Sequence, residues 1–472
     1  SVPSAMPSSM PSSEPSSVPS AMPTFLPTSM LSSVQSSLPS RMYSTSPTIS
    51  QSPTLSFSPS YSPSTYSDLQ RRDDMFLFAA RLSGVAALFN TTSPQHLALE
   101  WMIRKDVMKL NVKSPNFSQR YSIATFYFSS TNSGRDEWYN CGANFLQSSC
   151  SDESMRFLSS SNECDWYGIR CNENNEITDI RIRENGLTGS IPKELGSLHS
   201  LDFLLLSKNT ISSTIPTEIG LLSNLEYLYL NNNNFVGTIP TSLGHLDKLV
   251  LFSIGNNNMN GTIPGEIFNP TLKHLDMDDN NFHGTLPSEM FTSSLNLLNI
   301  DIGGNDLEGT IPGGFGNLIK MKLLRMNNNN FVGELKPEIF VSPSLRTFNC
   351  SENSLSGSIP DELYSATSLR VLNLASNNLS GTISTKMGDL EDLTELKLQF
   401  NQFEGTIPSA IEFLSDLRNV DLSFNFLSGT MPGGVCDLKV RSFLFLELVS
   451  DCDGSLPRVV CDCCSTCEVG YE

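Results

Sequence analysis

From about residue 180 onward, apolar and polar positions follow one spelling, L-x-x-L-x-L-x-x-N-x-L-x-G-x-I-P. A clean copy places Leu369, Leu372, Leu374, Asn377, Leu379 and Gly381 at its defining positions. The anchor asparagine recurs at Asn185, Asn209, Asn233, Asn257, Asn280, Asn305, Asn329, Asn353, Asn377, Asn401 and Asn425. These are about eleven copies of a unit of about 24 residues. The L-x-L step has the period of a short strand, with both leucines pointing inward. Successive strands stack in parallel, roughly 4.8 Å apart, into a curved sheet roughly 50 Å long. The anchor asparagine turns the chain out of the strand, and its amide has donors and an acceptor for the backbone groups there. Stacked copies form a ladder that leaves few buried polar groups unpaired. Glycines such as Gly237, Gly261, Gly309 and Gly381 allow a tight turn. The I-P pair returns along the convex side in extended form, because proline biases the preceding residue away from helix. The prediction is an α/β repeat, a right-handed solenoid with a parallel concave sheet. Each copy buries about six apolar side chains worth roughly 1.5–3 kcal/mol each. The Leu, Ile and Asn columns are therefore structural.

A few copies depart from the rule. Ser213 replaces the expected glycine, Glu334 the usual hydroxyl residue, and Ser384 the proline after isoleucine. The copy before Asn280 is one residue short and the copy before Asn305 one long. These read as local loop adjustments.

Ahead of the repeats the pattern changes twice. Residues 1–66 are a Ser/Pro/Thr/Met tract with prolines at Pro3, Pro7, Pro11, Pro15, Pro19, Pro23 and Pro27, and only Glu14 and Arg41 charged. Such a segment buries too little apolar surface to offset its ordering entropy, and proline keeps it extended. The expectation is a disordered tail, either an O-glycosylated stalk or a bare linker. Residues 67–135 read as a helical capping region of two or three short helices covering the first turn of the solenoid. Ser93 before Pro94 and the run Leu97–Ile103 give an N-cap, a first-turn proline and a helical period. Ser114-Pro115 repeats that start signal. Met75–Phe89, interrupted by Arg81, Ser83 and Gly84, reads as an amphipathic helix and not a membrane span.

Charge and cysteine usage narrow the function. The formal net charge of -19 argues against nucleic acid and against an anionic membrane surface. Cys141, Cys150, Cys164 and Cys171 precede the repeats; Cys436, Cys452, Cys461, Cys463, Cys464 and Cys467 follow them. Even numbers at both ends fit disulfide-stapled caps, a Cys-containing one over 136–172 and a Cys-rich one over 432–472, flanking a solenoid over 173–431. Six cysteines allow 15 pairings, and spacing does not choose among them. Cys350 takes a strand-leucine position and reads as a small buried hydrophobe. Sequons at Asn90, Asn116, Asn260, Asn349 and Asn378 add to the secretory reading. The chain begins at Ser1 without a charged n-region and apolar core, so any leader or anchor is expected outside it.

The segment Cys164-Asp165-Trp166-Tyr167-Gly168-Ile169-Arg170-Cys171, taken with N-x-L-x-G-x-I-P, resembles the N-terminal cap and repeats of plant-type leucine-rich-repeat proteins. That resemblance runs from about residue 136 to 435. The P-S-S-x-P-S tracts ahead of Ser93–Trp101, the cap, and Cys461-Asp462-Cys463-Cys464-Ser465-Thr466-Cys467 together look like secreted or cell-surface leucine-rich-repeat proteins of diatoms. The wider class includes receptor ectodomains and polygalacturonase-inhibitor-like proteins; no kinase signature occurs in this chain. The resemblance implies a leucine-rich-repeat solenoid working outside the cell or at its surface.

Binding residues are sought on the concave face, between the inward leucines. Phe203, Leu205, Tyr227, Tyr229 and Leu251 form an apolar, aromatic patch of the kind that anchors interfaces or stacks on sugar rings. Asp276, Asp278, Asp279 and Asp301 beside His274 form an acidic grouping suited to a basic partner or a hard cation. Asn349 lies on the same face, and a glycan there would confine a ligand to the N-terminal half. On the other side, Ser190, Thr214, Thr238, Thr262, Thr285, Thr310, Ser358, Thr382, Thr406 and Thr430 make a hydroxyl column of the sort that can order water and bind ice. The 5 histidines show no catalytic or metal spacing, and G-x-S-x-G, H-E-x-x-H and P-loop motifs are missing. The C-terminal C-x-C-C-x-x-C reads as disulfides and not as zinc ligands. The sequence thus describes a non-enzymatic recognition module without cofactor or resident metal, binding a protein, peptide or cell-wall polysaccharide. The competing reading is a structural or adhesive wall glycoprotein anchored through the tail.

Overall fold

The computed structural model describes residues 63–131, 138–143, 150–441, 447–453 and 459–468. All of them belong to one contact unit, Tyr61–Glu472. The expected disordered tail lies outside the described residues, apart from its last few positions, Pro63–Tyr66, which begin the first helix.

Among the described residues, four α-helices precede the repeats: α1 (Pro63–Ser83), α2 (Val85–Phe89), α3 (Pro94–Arg104) and α4 (Phe117–Ser129). The expected single helix over Met75–Phe89 is two helices. Gly84 takes φ +88° between them, a conformation that ends α1 and that only glycine adopts freely. The cap on α3 forms as expected, with Ser93 Oγ accepting from His96 N–H at 3.1 Å. The fourth helix starts at Phe117, past the Ser114-Pro115 signal, and Asn116 makes no side-chain cap bond.

A buried cation ties these helices to the Cys-containing segment ahead of the repeats. Arg120 on α4 donates to both Asp106 oxygens at 3.0 and 2.9 Å and to Glu163 Oε2 at 2.9 Å. The Ser159 and Ser161 carbonyls accept its remaining protons at 3.2 and 3.0 Å. Its guanidinium lies 5.2 Å from the Trp101 ring and 4.8 Å from the Trp166 ring. All three charged side chains are fully shielded from water.

The repeats build two sheets. Among the described residues the concave sheet has 14 strands. Its first pair, Ile169–Cys171 with Ile177–Arg181, is antiparallel. From Ile177–Arg181 onward each strand pairs in parallel with the next, through Phe203–Leu205, Tyr227–Tyr229 and Leu251–Ser253 to Asn419–Asp421. The sheet continues past the last anchor asparagine into Glu447–Ser450 and Thr466–Cys467, so the Cys-rich cap extends it. A second sheet of 10 strands lies after the anchor asparagines, from Val236–Gly237 to Val459–Val460. It starts only after Ser213: Gly237 takes φ +80°, and a Cβ there would come within 2.9 Å of Thr214 Cγ2. The I-P return ends in a 3-10 turn with proline at its N-cap, as at Pro192, Pro240 and Pro408. Where Ser384 replaces proline, its Oγ caps the turn by accepting from Lys386 N–H at 3.2 Å.

The core is a continuous column of inward side chains, Leu204, Leu228, Phe252, Leu275, Ile300 and Leu324 among them. Beside it runs the asparagine ladder. Asn233 Nδ2 donates to the Leu206 and Leu230 carbonyls, both at 3.0 Å, and Oδ1 accepts from Ile211 N–H at 3.1 Å. The same three bonds recur at Asn257, Asn305, Asn377 and Asn401. Asp451 closes the ladder, its Oδ2 accepting from Asn425 N–H at 3.1 Å. The residue before each anchor is left-handed, from Glu184 (φ 52°) to Phe424 (φ 53°). The cysteines pair as Cys141–Cys150, Cys164–Cys171, Cys436–Cys463, Cys452–Cys467 and Cys461–Cys464. Cys350 is free and fully buried, and burial pushes its thiol pKa up.

Candidate functional site on the concave face

Parallel pairing in strict register turns sequence columns into surface rows. Phe203 pairs with Tyr227, Tyr227 with Leu251, and Leu251 with His274. One column over, Leu205 pairs with Tyr229, then Ser253, Asp276, Asp301 and Arg325. The residues between these columns point into the core, so both columns face out. The five apolar candidates are thus brought together on three adjacent strands.

They are less exposed than the sequence suggested, all half-buried, because the rings pack on one another. Phe203 lies 5.2 Å from Tyr227 and 5.6 Å from Tyr229 between ring centroids. Arg181 covers the Phe203 ring at 3.6 Å and is held by Asp179, whose Oδ1 accepts from its Nε at 2.7 Å. Sequence reasoning did not mark Arg181 as the edge of the patch. Its signal was the strand neighbour Asp179 two residues earlier, on the same face. Burial, then Tyr227, raise the Tyr229 pKa, with Arg181 opposing.

The acidic row continues the patch without a gap. Tyr229, Leu251, His274, Asp276, Asn299 and Asp301 line a shallow depression of about 320 Å³. Ser253 Oγ donates to Asp276 Oδ2 at 2.5 Å. Asp278 shares a hydrogen bond with Asp276, and its pKa is pushed up to about 7 by burial, that bond, and the charges of Asp276, Asp301 and Asp279. Asp301 is raised by burial, although Arg325 Nη1 donates to its Oδ2 at 3.2 Å. The His274 pKa is lowered by burial and by Lys273 and Lys322, which disfavour its charged form. Asp278 and Asp301 also line a second depression of about 440 Å³, which runs on over Arg325, Asn349 and Lys397. The rows form a strip that is apolar at the N-terminal repeats, anionic in the middle and mixed in charge beyond.

Away from this strip, Phe400 and Phe424 stack at 4.3 Å with 7° between their planes, both at left-handed positions. Among the described residues, Cys452, Cys461 and Cys464 have metal-ligand spacing, but their sulfurs are in disulfides and offer no thiolate. No helix among the described residues is long and apolar enough to cross a membrane.

This chain belongs to the leucine-rich-repeat family: the leucine-rich repeat region family matches residues 180–432, more than half of its length. Among solved structures it is similar to a plant peptide hormone receptor, RGFR1 in complex with RGF2. There the identity is 35% and the TM-score 0.54, over 58% of this chain and 43% of that one. It is also similar to the PEPR1–AtPEP1 complex, at 27% identity and TM-score 0.50, over 66% of this chain and 51% of that one. The chain thus spans about half the length of these two proteins. A plant ice-binding protein matches at 24% identity and TM-score 0.56, over 67% of this chain and 96% of that one, a likeness of fold alone. No curated protein sequence matches significantly.

Proposed function

We propose that this chain is an extracellular or cell-surface recognition module that binds an extended peptide, or an extended segment of a protein, along the concave sheet. The observation that carries the reading is the strip from Arg181 through Phe203, Tyr227 and Tyr229 to Asp276 and Asp301. It joins aromatic anchors to carboxylates on one rigid surface. Strand-mounted side chains lose little entropy on binding, so they anchor a flexible peptide efficiently. An apolar side chain of the ligand lies against the Phe203–Tyr229 rings, and a Lys or Arg follows it at the depression under Asp276 and Asp301. A solved structure similar in fold is a plant peptide hormone receptor in complex with RGF2, which favours a peptide over a polysaccharide. The 5 disulfides fit an oxidising compartment.

The test is a binding panel of immobilised random-sequence peptides beside cell-wall polysaccharides, probed with the full chain. The reading expects saturable peptide binding enriched in an apolar residue followed by a basic one. Saturable binding to a polysaccharide alone contradicts it.

A further inference from the structure

The sequons fall on the solenoid in a pattern that the linear sequence hides. Asn260 lies in the second-sheet strand Asn258–Gly261, beside the fully buried Met259, and its side chain is exposed. Asn378 opens the second-sheet strand Asn378–Thr382, beside the fully buried Leu379, and is exposed as well. Strand alternation puts both amides on the outer face of the same sheet. Five strand steps separate them in the sheet order, roughly 24 Å at the usual strand spacing. The exposed hydroxyls Thr285, Thr310 and Ser358 lie on the strands and turns between them.

Asn349 is different. It sits on the concave sheet, half-buried, with its amide engaged on both sides. Its Nδ2 donates to Asn327 Oδ1 at 3.0 Å, and its Oδ1 accepts from Ser351 N–H at 3.1 Å and Ser351 Oγ at 2.9 Å. Its strand neighbours are Arg325 and Asn373, and a sugar on Nδ2 has to displace the Asn327 contact and lie between their side chains.

We infer that Asn260 and Asn378 carry N-linked oligosaccharides that cover the second sheet, and that Asn349 stays bare, leaving the concave sheet open. The donor is an oligosaccharide linked through pyrophosphate to a lipid. In each transfer the Asn Nδ2 bonds to the anomeric carbon, and the bond from that carbon to the pyrophosphate oxygen breaks. The lipid pyrophosphate leaves with the amide proton. The bulky, hydrated sugars make the second sheet a shielded face and take the hydroxyl column between them out of contact with ice or a partner. This inference concerns which face is open and does not depend on what the concave face binds.

The experiment is peptide mapping of the full chain secreted from a eukaryotic host, with enzymatic release of the sugars in ¹⁸O water to mark each occupied asparagine. The expected result is ¹⁸O-labelled aspartate at positions 260 and 378 in nearly all molecules and unlabelled asparagine at 349. A label at 349, or its absence at 260 or 378, overturns the inference. A secreted chain with its disulfides formed and no sugar at any site also overturns it, while leaving the proposed peptide binding to its own test.

Discussion

At the residue scale, single side chains hold positions that a repeat consensus describes poorly. Asp278 is the clearest. Its folded pKa of about 7 lies above the ordinary 3.8, because burial and neighbouring carboxylates disfavour its charge. The folded state therefore binds this proton more tightly than the unfolded state does. The sign follows: this group's contribution to stability is largest below about pH 4, falls as pH rises toward 7, and is flat above. Since Asp276 and Asp278 are hydrogen-bonded, the titration belongs to the pair. Asp278→Asn is expected to raise the melting temperature relative to the parent at pH 8 and to change it little at pH 4; an equal effect at both contradicts the assignment. The anchor asparagines carry a larger structural load. Asn305→Ala unpairs the Met277 and Ile302 carbonyls and the Phe282 N–H from its side chain. The expected loss is about 1–3 kcal/mol for each group left without a partner, read from urea unfolding. The sequence made this ladder legible, because a polar residue at a fixed place in an apolar period has few other uses. It did not reveal the Asp278 shift, which arises first from burial and then from Asp276, with a smaller part from Asp301, which strand pairing sets beside Asp276.

At the element scale, the strands were readable and the cap only partly so. L-x-L repeats specify strand, register and facing direction together, so the rows around Phe203 and Tyr229 follow from the spelling. The helices before the repeats lack such redundancy. Gly84 split one expected helix, and the bond set around Arg120 joins residues from Asp106 to Glu163 that no local pattern connects. The second sheet was missed because its strands are short and rest on the left-handed glycines, which from sequence read as turns alone. Arg120→Ala leaves Asp106 and Glu163 buried without their cation, at an expected cost of about 3–5 kcal/mol. Loss of the helical signal at lower urea than in the parent, with the repeat region unfolding later, checks this. Unchanged unfolding rules out the cluster as the joint between the helices and the Cys-containing segment ahead of the repeats.

At the scale of the whole molecule, each turn of the solenoid contacts chiefly its neighbours, and its ends need covering. The helices and the Cys141–Cys150 and Cys164–Cys171 bridges cover one end, and the bridges from Cys436 to Cys467 cover the other. What remains is a stiff surface with two unlike faces. The concave one has aromatic and acidic rows; the other is a hydroxyl-bearing sheet with two exposed sequon asparagines. The central claim is that the first of these faces does the binding. It is tested most directly by the affinity of a panel-selected peptide for the full chain and for its Phe203→Ala, Tyr227→Ala, Tyr229→Ala variant, both checked for an unchanged circular dichroism spectrum. The account predicts a loss of at least about a hundredfold, as befits removal of hot-spot aromatics each worth about 1–2 kcal/mol or more. Equal affinity for both proteins would contradict it.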